Sequence, residues 1–152
     1  MSALDITYRA KTAPEEEIYL CIAECSDNFS SPLGSRVNLK DYSSKIARDA
    51  ITFEAWAGTK LVGLIAAYFN DPKNHAGYIT NVCTNPAFLG NGIASTLMEM
   101  CIQYAQKNGF SEIRLEVFKS SIPAIGLYKK YHFEIAEDKG NIIDMSLNID
   151  NT

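Results

Sequence analysis

Apolar and polar positions change period several times along the chain, and each change marks an element. "DITYRA", Asp5 to Ala10, alternates with the period of two expected of a half-buried strand. Thr12 followed three residues later by Glu15, with Pro14 in the first turn, marks a helix start running to about Cys25. The loop "SDNFSSPLGSR", Ser26 to Arg36, comes next. A second amphipathic segment, from about Leu39 to Arg48, then follows Asn38 as its N-cap. "ITFEAWA" and "LVGLIAAYFN" flank Gly58 and Thr59, a tight hairpin signal, and "GYITNVCT", Gly77 to Thr84, continues the meander after the polar loop "DPKNHA".

Beyond these strands, Ile93, Leu97, Met100, Cys101 and Tyr104 recur at helical spacing until Asn108-Gly109 supplies the stop. "EIRLEV" reads as a strand, Pro123 to Lys130 as a short helix, and "HFEIAE" and "IIDMSLN" as a final hairpin about Lys139-Gly140-Asn141. The order β-α-α-β-β-β-α-β-α-β-β predicts a single α/β domain, with a mixed, mostly antiparallel sheet flanked by helices.

Composition narrows the partners. The 152 residues, 47% of them hydrophobic, suffice for one core, and the net charge of −4 leaves no basic excess to neutralise phosphates. Nucleic acid and anionic membranes are therefore not expected partners. Met1 to Asp5 carries no basic leader region, and no apolar run approaches the roughly 20 residues of a membrane span, so the chain is expected to be soluble and cytoplasmic. Cys21, Cys25, Cys83 and Cys101 lack the paired C-x2-C spacing of zinc ribbons. Cys21 and Cys25, one helical turn apart, read as a core stripe of reduced thiols, with no metal expected.

"NPAFLGNGIASTLM", Asn85 to Met98, puts two glycines where a loop becomes an apolar-striped helix. The first turn of a helix has unpaired N–H groups and a partial positive charge. Glycines that let a ligand approach them make an anion site, with phosphate the expected anion. A P-loop fails because Ile93 and Ala94 stand where Lys and Ser/Thr belong. A dinucleotide fingerprint fits poorly: Asn85 to Leu89 separate the strand from the glycines, Ser95 takes the third glycine's place, and an antiparallel hairpin precedes the strand.

Leu89 to Ala94 resembles the pyrophosphate-binding signature of the GCN5-related N-acetyltransferase (GNAT) family, Arg/Gln-x-x-Gly-x-Gly/Ala, and "T-N-P" just before it is similar to the family's V-x-P. "LEVFKSSIPAIGLYKKYHF", Leu115 to Phe133, resembles the family's downstream L-x-V-x-x-x-N-x-x-A-x-x-L-Y-x-x-x-G-F. The resemblance covers Ile51 to Phe133, and the N-terminal third in topology only. It implies a GNAT-type fold and acetyl-coenzyme A as cosubstrate. Cofactor contacts are implied for Val82, Cys83, Thr84, Leu89, Gly90, Asn91, Gly92, Ile93, Ala94, Ser95, Ser121 and Tyr128. Three positions depart from the pattern. Leu89 replaces Arg/Gln and keeps only its amide, Ser121 replaces a longer Asn, and His132 replaces Gly and reads as a cap or end of the short helix.

By the same resemblance the strand Gly77 to Thr84 bulges and splays from Glu112 to Val117. The N–H of Val82 would face the thioester carbonyl and that of Thr84 the pantetheine amides. Tyr128 aligns with the family's tyrosine that donates to the coenzyme A sulfur, and an unperturbed phenol, with a pKa of about 10, is protonated at neutral pH as a donor must be. Glu116 alternates with Leu115 and Val117 and so points away from their face. It is similar to the glutamate that serves as base in the family's ribosomal-protein N-terminal acetyltransferases. A core aromatic is the alternative for Tyr128, and an exposed strand carboxylate for Glu116. Arg36, Tyr68 and Asn81 are the expected acceptor-binding residues, with Tyr42, Asn70 and His75 as further polar or aromatic candidates.

The expected reaction is acetyl transfer to a primary amine by direct attack through a tetrahedral intermediate, with no metal and no covalent enzyme intermediate. Cys83, with no histidine motif nearby, reads as packing. A small amine, an amino sugar and a peptide N-terminus all remain open as acceptors, and a homodimer is allowed. The rival is a non-catalytic coenzyme A sensor or assembly domain. It predicts loss of the acid and base groups, whereas Tyr128 and Glu116 are both present.

Overall fold

A computed structural model describes residues 5–25, 38–71 and 73–149. Strands β1 (Ile6–Ala10), β2 (Ile51–Ala57), β3 (Lys60–Tyr68), β4 (Ala76–Thr84), β5 (Glu112–Phe118), β6 (Glu134–Asp138) and β7 (Ile142–Asn148) make one sheet ordered β1-β2-β3-β4-β5-β7-β6. Helices α1 (Glu15–Cys25), α2 (Leu39–Asp49), α3 (Ile93–Lys107) and α4 (Ile122–Lys130) cover it. Neighbouring strands run antiparallel except β4 and β5, which are parallel.

The apolar runs of β2 and β3 are buried on both faces of the sheet, which is why they do not alternate. One face packs α3 and α4 against Phe53, Ile65, Ile79, Leu115 and Met145; the other packs α1 and α2 against Trp56, Leu61, Leu64 and Cys83. β5 alternates, burying Ile113, Leu115 and Val117 while Arg114 points to solvent. β6 is exposed throughout, and Glu134, Glu137 and Asp138 protect this edge against pairing with another chain. Among the described residues no helix is long and apolar enough to cross a membrane.

Of two local expectations at helix starts, one is met and one is not. Asn38 does cap α2, its Oδ1 accepting from the amides of Lys40 at 2.9 Å and Asp41 at 3.2 Å. Thr12, read as part of a capping box, instead gives both its amide and its hydroxyl to Glu54 of β2, a residue 42 positions away. Glu54 also accepts from the Ala13 amide, the Thr52 hydroxyl and the Trp56 indole, so five donors surround a side chain with no exposed surface. A charged acceptor in the core drew the hydroxyl away from its own helix, and the β1–α1 connection is tied to β2. A 3-10 turn, Pro86–Phe88, joins β4 to α3; at three residues it is too short to show a hydrophobic period.

Candidate active site

The site begins at an irregularity in β4. Ala66 lies opposite Asn81 and Ala67 opposite Ile79, which leaves Thr80 as an extra residue, a β-bulge. Tyr42 of α2 holds it, donating from its hydroxyl to the Thr80 carbonyl at 2.6 Å. Burial pushes the Tyr42 phenol up to about 12, so it remains a donor at neutral pH. β4 pairs with β5 only where Ala76 to Ile79 face Glu112 to Leu115. Beyond the bulge the pairing stops, and among the described residues the β5-facing edge of β4 has no strand partner there.

The direction of the free amides follows from one hydrogen bond. The Asn85 N–H donates to the Val62 carbonyl of β3 at 2.8 Å. Because N–H groups alternate sides along a strand, the Cys83 amide also turns toward β3, and those of Val82 and Thr84 turn into the gap. Cys83, expected among the cofactor-binding residues, is thus placed elsewhere, with its side chain packed under α1. Asn81 Oδ1 and Thr84 Oγ1 are buried on the same stretch without a hydrogen-bond partner among the described residues.

From Thr84 the chain passes through the 3-10 turn to Gly90 and Gly92, at φ 81° and 74°, a left-handed conformation that glycine adopts without strain. A Cβ at either would meet nothing within 4 Å, so the space before the loop is open. The Asn91 side chain staples the loop from within, donating to the carbonyls of Phe88 at 3.0 Å and Leu89 at 3.1 Å. Gly92 is the N-cap of α3 and brings no side-chain cap, which leaves the amides of the first turn for a ligand. A cavity of about 190 Å³ opens there, lined by Thr84, Leu89, both glycines and residues 93–95. Leu89 is 47% exposed, and its amide lies a long 3.5 Å from the Pro86 carbonyl.

Lys130 is a cation that the sequence reading did not single out: its Nζ lies 3.0 Å from Ser95 Oγ in the first turn of α3. A lysine in the last turn of a helix ordinarily complements that helix's own dipole, so no local signal marked it. Uncapped amides, two glycines with open space before them and this ammonium fit a pyrophosphate.

On α4, Tyr128 is 5% exposed and packs on Phe133, with ring centroids 5.7 Å apart. Burial pushes its phenol well above the ordinary value. The helix ends in a Schellman motif, with the Phe133 amide bonded to the Tyr128 carbonyl and the His132 amide to that of Lys129. His132 takes the left-handed position of this motif at φ 73°. Ser121 is the N-cap residue of α4 without a side-chain cap bond; its amide donates to the Phe118 carbonyl at 3.0 Å.

Glu116 lies on the opposite sheet face from Leu115 and Val117, the face that also bears Tyr68 and Asn81. Its side chain is 24% exposed, and Lys139 Nζ lies 3.2 Å from Glu116 Oε2 and 3.1 Å from Oδ2 of Asp144, its cross-strand neighbour. Asp144 first, then Glu116, holds the Lys139 ammonium above its usual range. A groove of about 440 Å³ runs over these residues, carrying Glu112, Glu116, Glu137 and Asp144 against Arg114 and Lys139.

The remaining acceptor candidates scatter. Tyr68 carries the Lys45 ammonium 5.3 Å from its ring centroid, and burial pushes its phenol up. His75 and Asn70 are exposed near the paired end of β4, away from the gap, where the His75 carbonyl accepts from the Ser111 amide at 2.8 Å. Arg36 lies outside the described residues.

The acetyltransferase (GNAT) family model matches residues 16–133. The chain belongs to that family. Among relatives, GCN5-related N-acetyltransferase 6, chloroplastic, of Arabidopsis thaliana is 28% identical over 85 residues, which is 55% of this chain and 30% of the relative. The chain thus spans about a third of that protein's length. Among solved structures, the PaiA N-acetyltransferase from Thermoplasma acidophilum, in complex with coenzyme A, superposes with a TM-score of 0.78 at 18% identity, over 95% of this chain and 99% of that one. The ribosomal-protein-S18-alanine N-acetyltransferase from Escherichia coli gives a TM-score of 0.74 at 18% identity, over 94% of both chains. At such identities the likeness is one of fold, and the seven-stranded sheet with its flanking helices is the GNAT fold.

Proposed function

We propose that the chain is an acetyl-coenzyme A-dependent N-acetyltransferase acting on a primary amine. The observation that carries this reading is the pair of Val82 and Thr84 amides facing the gap between β4 and β5, directly ahead of the glycine-bounded start of α3. Free strand amides followed by a phosphate-sized cradle suit a ligand with amides along an extended arm and a pyrophosphate beyond them. The PaiA relative was solved with coenzyme A, which supports the same assignment.

In this scheme the pantetheine arm lies along β4 as a strand would, and the Val82 N–H meets the thioester carbonyl. A fixed donor at a developing oxyanion contributes roughly 100- to 1,000-fold in rate. Glu116 accepts the proton of the attacking amine as the N–C bond forms to give a tetrahedral intermediate, and Tyr128 gives its proton to the departing sulfur as that intermediate collapses with cleavage of the C–S bond. Burial raises the Tyr128 phenol, so the group is in the protonated form a donor needs at neutral pH. An ammonium group entering the groove competes with Lys139 for Glu116 and Asp144, and the surplus of carboxylates there favours cationic acceptors.

The test is thiol release from acetyl-coenzyme A with small amines, amino sugars and peptides bearing free N-termini. Turnover with at least one class is expected. Silence across all three, with tight coenzyme A binding by calorimetry, would instead support the non-catalytic sensor, a reading that the Lys139 ion pair on Glu116 favours.

A further inference from the structure

On the α1/α2 side of the sheet, away from the gap, three cysteines meet. Cys21 and Cys25 of α1 face Cys83 of β4; all three sulfurs lie within 4.8 Å of one another, and those of Cys21 and Cys83 are 3.6 Å apart. Each is a free thiol in a residue at most 3% exposed, among Ile18, Ile22, Ile46, Trp56 and Leu64. Spacing along α1 showed only the first pair; Cys83 joins from 62 residues away. We propose that Cys21, Cys25 and Cys83 form a trithiol site for a trivalent thiophilic metalloid of the arsenite class.

Geometry, donor type and charge each narrow the ligand. A thiophilic ion sits about 2.3 Å from thiolate sulfur, so three sulfurs around one centre stand roughly 3.5 to 4 Å apart. Cys21 and Cys83 already have that spacing, and the third sulfur needs a shift of about 1 Å or less. Three sulfurs, with no carboxylate or imidazole grouped with them among the described residues, select a soft centre over a hard one. Charge then separates the soft ions. Three thiolates around a monovalent or divalent metal leave net negative charge in an apolar core, a cost such surroundings do not offset. Around a trivalent centre the charge is zero.

The exchange balances without a co-reactant. Three As–S bonds form as three As–O bonds of arsenous acid break, the three thiol protons leave on three water molecules, and nothing is oxidised or reduced. Entry requires a local opening, and Cys25 stands in the last turn of α1, beside the exposed Glu24–Lys60 ion pair, where a helix opens at low cost. An occupied site would clamp α1 to β4 at the residue between Val82 and Thr84.

Inorganic arsenite added to the reduced protein is the probe. Native mass spectrometry should show one arsenic replacing three protons, X-ray absorption three sulfur neighbours and no oxygen, and the melting temperature should rise because the folded chain holds all three thiols together and so binds more tightly than the unfolded one. Cys21→Ala, Cys25→Ala and Cys83→Ala should each weaken binding about tenfold or more. Cys101→Ala, a buried thiol of α3 outside the cluster, should leave it unchanged. If an alanine variant does not fold, the absorption spectrum of the wild type decides. Absence of an adduct, two sulfurs with an oxygen, binding that survives loss of any one of the three thiols, or zinc outcompeting arsenite would each overturn the site.

Discussion

Glu54 on β2 and Glu116 on β5 show how differently one fold treats the same carboxyl group. Glu54 has no exposed surface, and five donors converge on its two oxygens. Burial alone would raise this carboxyl, but the hydrogen bonds of Thr12, Thr52, Trp56 and Ala13 outweigh it and hold the group below its ordinary range. Glu116 is half-buried, and among the described residues its ion pair is with the Lys139 ammonium, which it shares with its cross-strand neighbour Asp144 in an open groove. A carboxylate with every acceptor position filled fastens elements together and is closed to chemistry. One with a single exchangeable partner at a groove is open to it.

The largest effect that could break this contrast is at Glu54. Glu54→Gln turns an amide NH2 toward donors and removes charge-assisted bonds, so a loss of about 3 kcal/mol or more is expected, read as a melting temperature lower by about 10 °C. The sign with pH follows from the depressed folded value. The stability contributed by Glu54 is present above the unfolded range, near pH 4, and is lost as pH falls through the folded value. The variant should therefore show a flatter acid limb than wild type. A Glu54→Gln protein that melts like wild type would erase the distinction between the two carboxylates.

Next in size are the groups assigned to proton transfer. Glu116→Gln and Tyr128→Phe should each lower kcat roughly 100-fold while coenzyme A affinity and melting temperature stay near wild type. A loss of only about tenfold at Tyr128 would mean that the hydroxyl mainly orients the sulfur. Equal turnover in well-folded Tyr128→Phe would transfer the acid role to solvent, and equal turnover in Glu116→Gln would make Glu116 an ordinary ion-pair residue. At the loop, Gly92→Val forces a β-branched residue to φ 74°. The surrounding space is open, so the strain lies in the backbone and not in crowding. Weakening of coenzyme A binding by about tenfold, measured by calorimetric titration, is expected from a strain of about 1 to 3 kcal/mol that displaces the amides. Unchanged affinity would remove the loop from the site.

What the sequence made legible was local. The Gly58–Thr59 hairpin, the Asn38 cap, the glycine turn and the spacing of Ile93, Leu97 and Cys101 each depend on neighbours a few residues away. The site's remaining features depend on partners far along the chain. The Thr80 bulge exists only relative to the register of β3, and Tyr42 holds it from 38 residues away. Lys130 reaches Ser95 across 35 residues, and Lys139 reaches Glu116 across 23. Thr12 shows the converse error, a correct local pattern whose hydroxyl found a stronger acceptor in Glu54.

The smallest effect is at His132, and it separates packing from chemistry on the helix that carries Tyr128. The position is glycine in the motif that Leu115 to Phe133 resembles, and the structure supplies the reason. It is the left-handed residue of the Schellman ending of α4, at φ 73°, where a side chain strains the backbone by about 1 kcal/mol. His132→Gly removes that strain, but glycine also widens the unfolded ensemble, which cancels part of the gain. A net stabilisation of about 0.5 kcal/mol is expected, a rise of about 1 to 2 °C in melting temperature. Because the imidazole is exposed and the α4 backbone keeps its course, kcat should not change. A lower kcat beside a higher melting temperature would show that the imidazole takes part in the chemistry. An unchanged or lower melting temperature would show that the ring makes an interaction offsetting the strain of its own backbone.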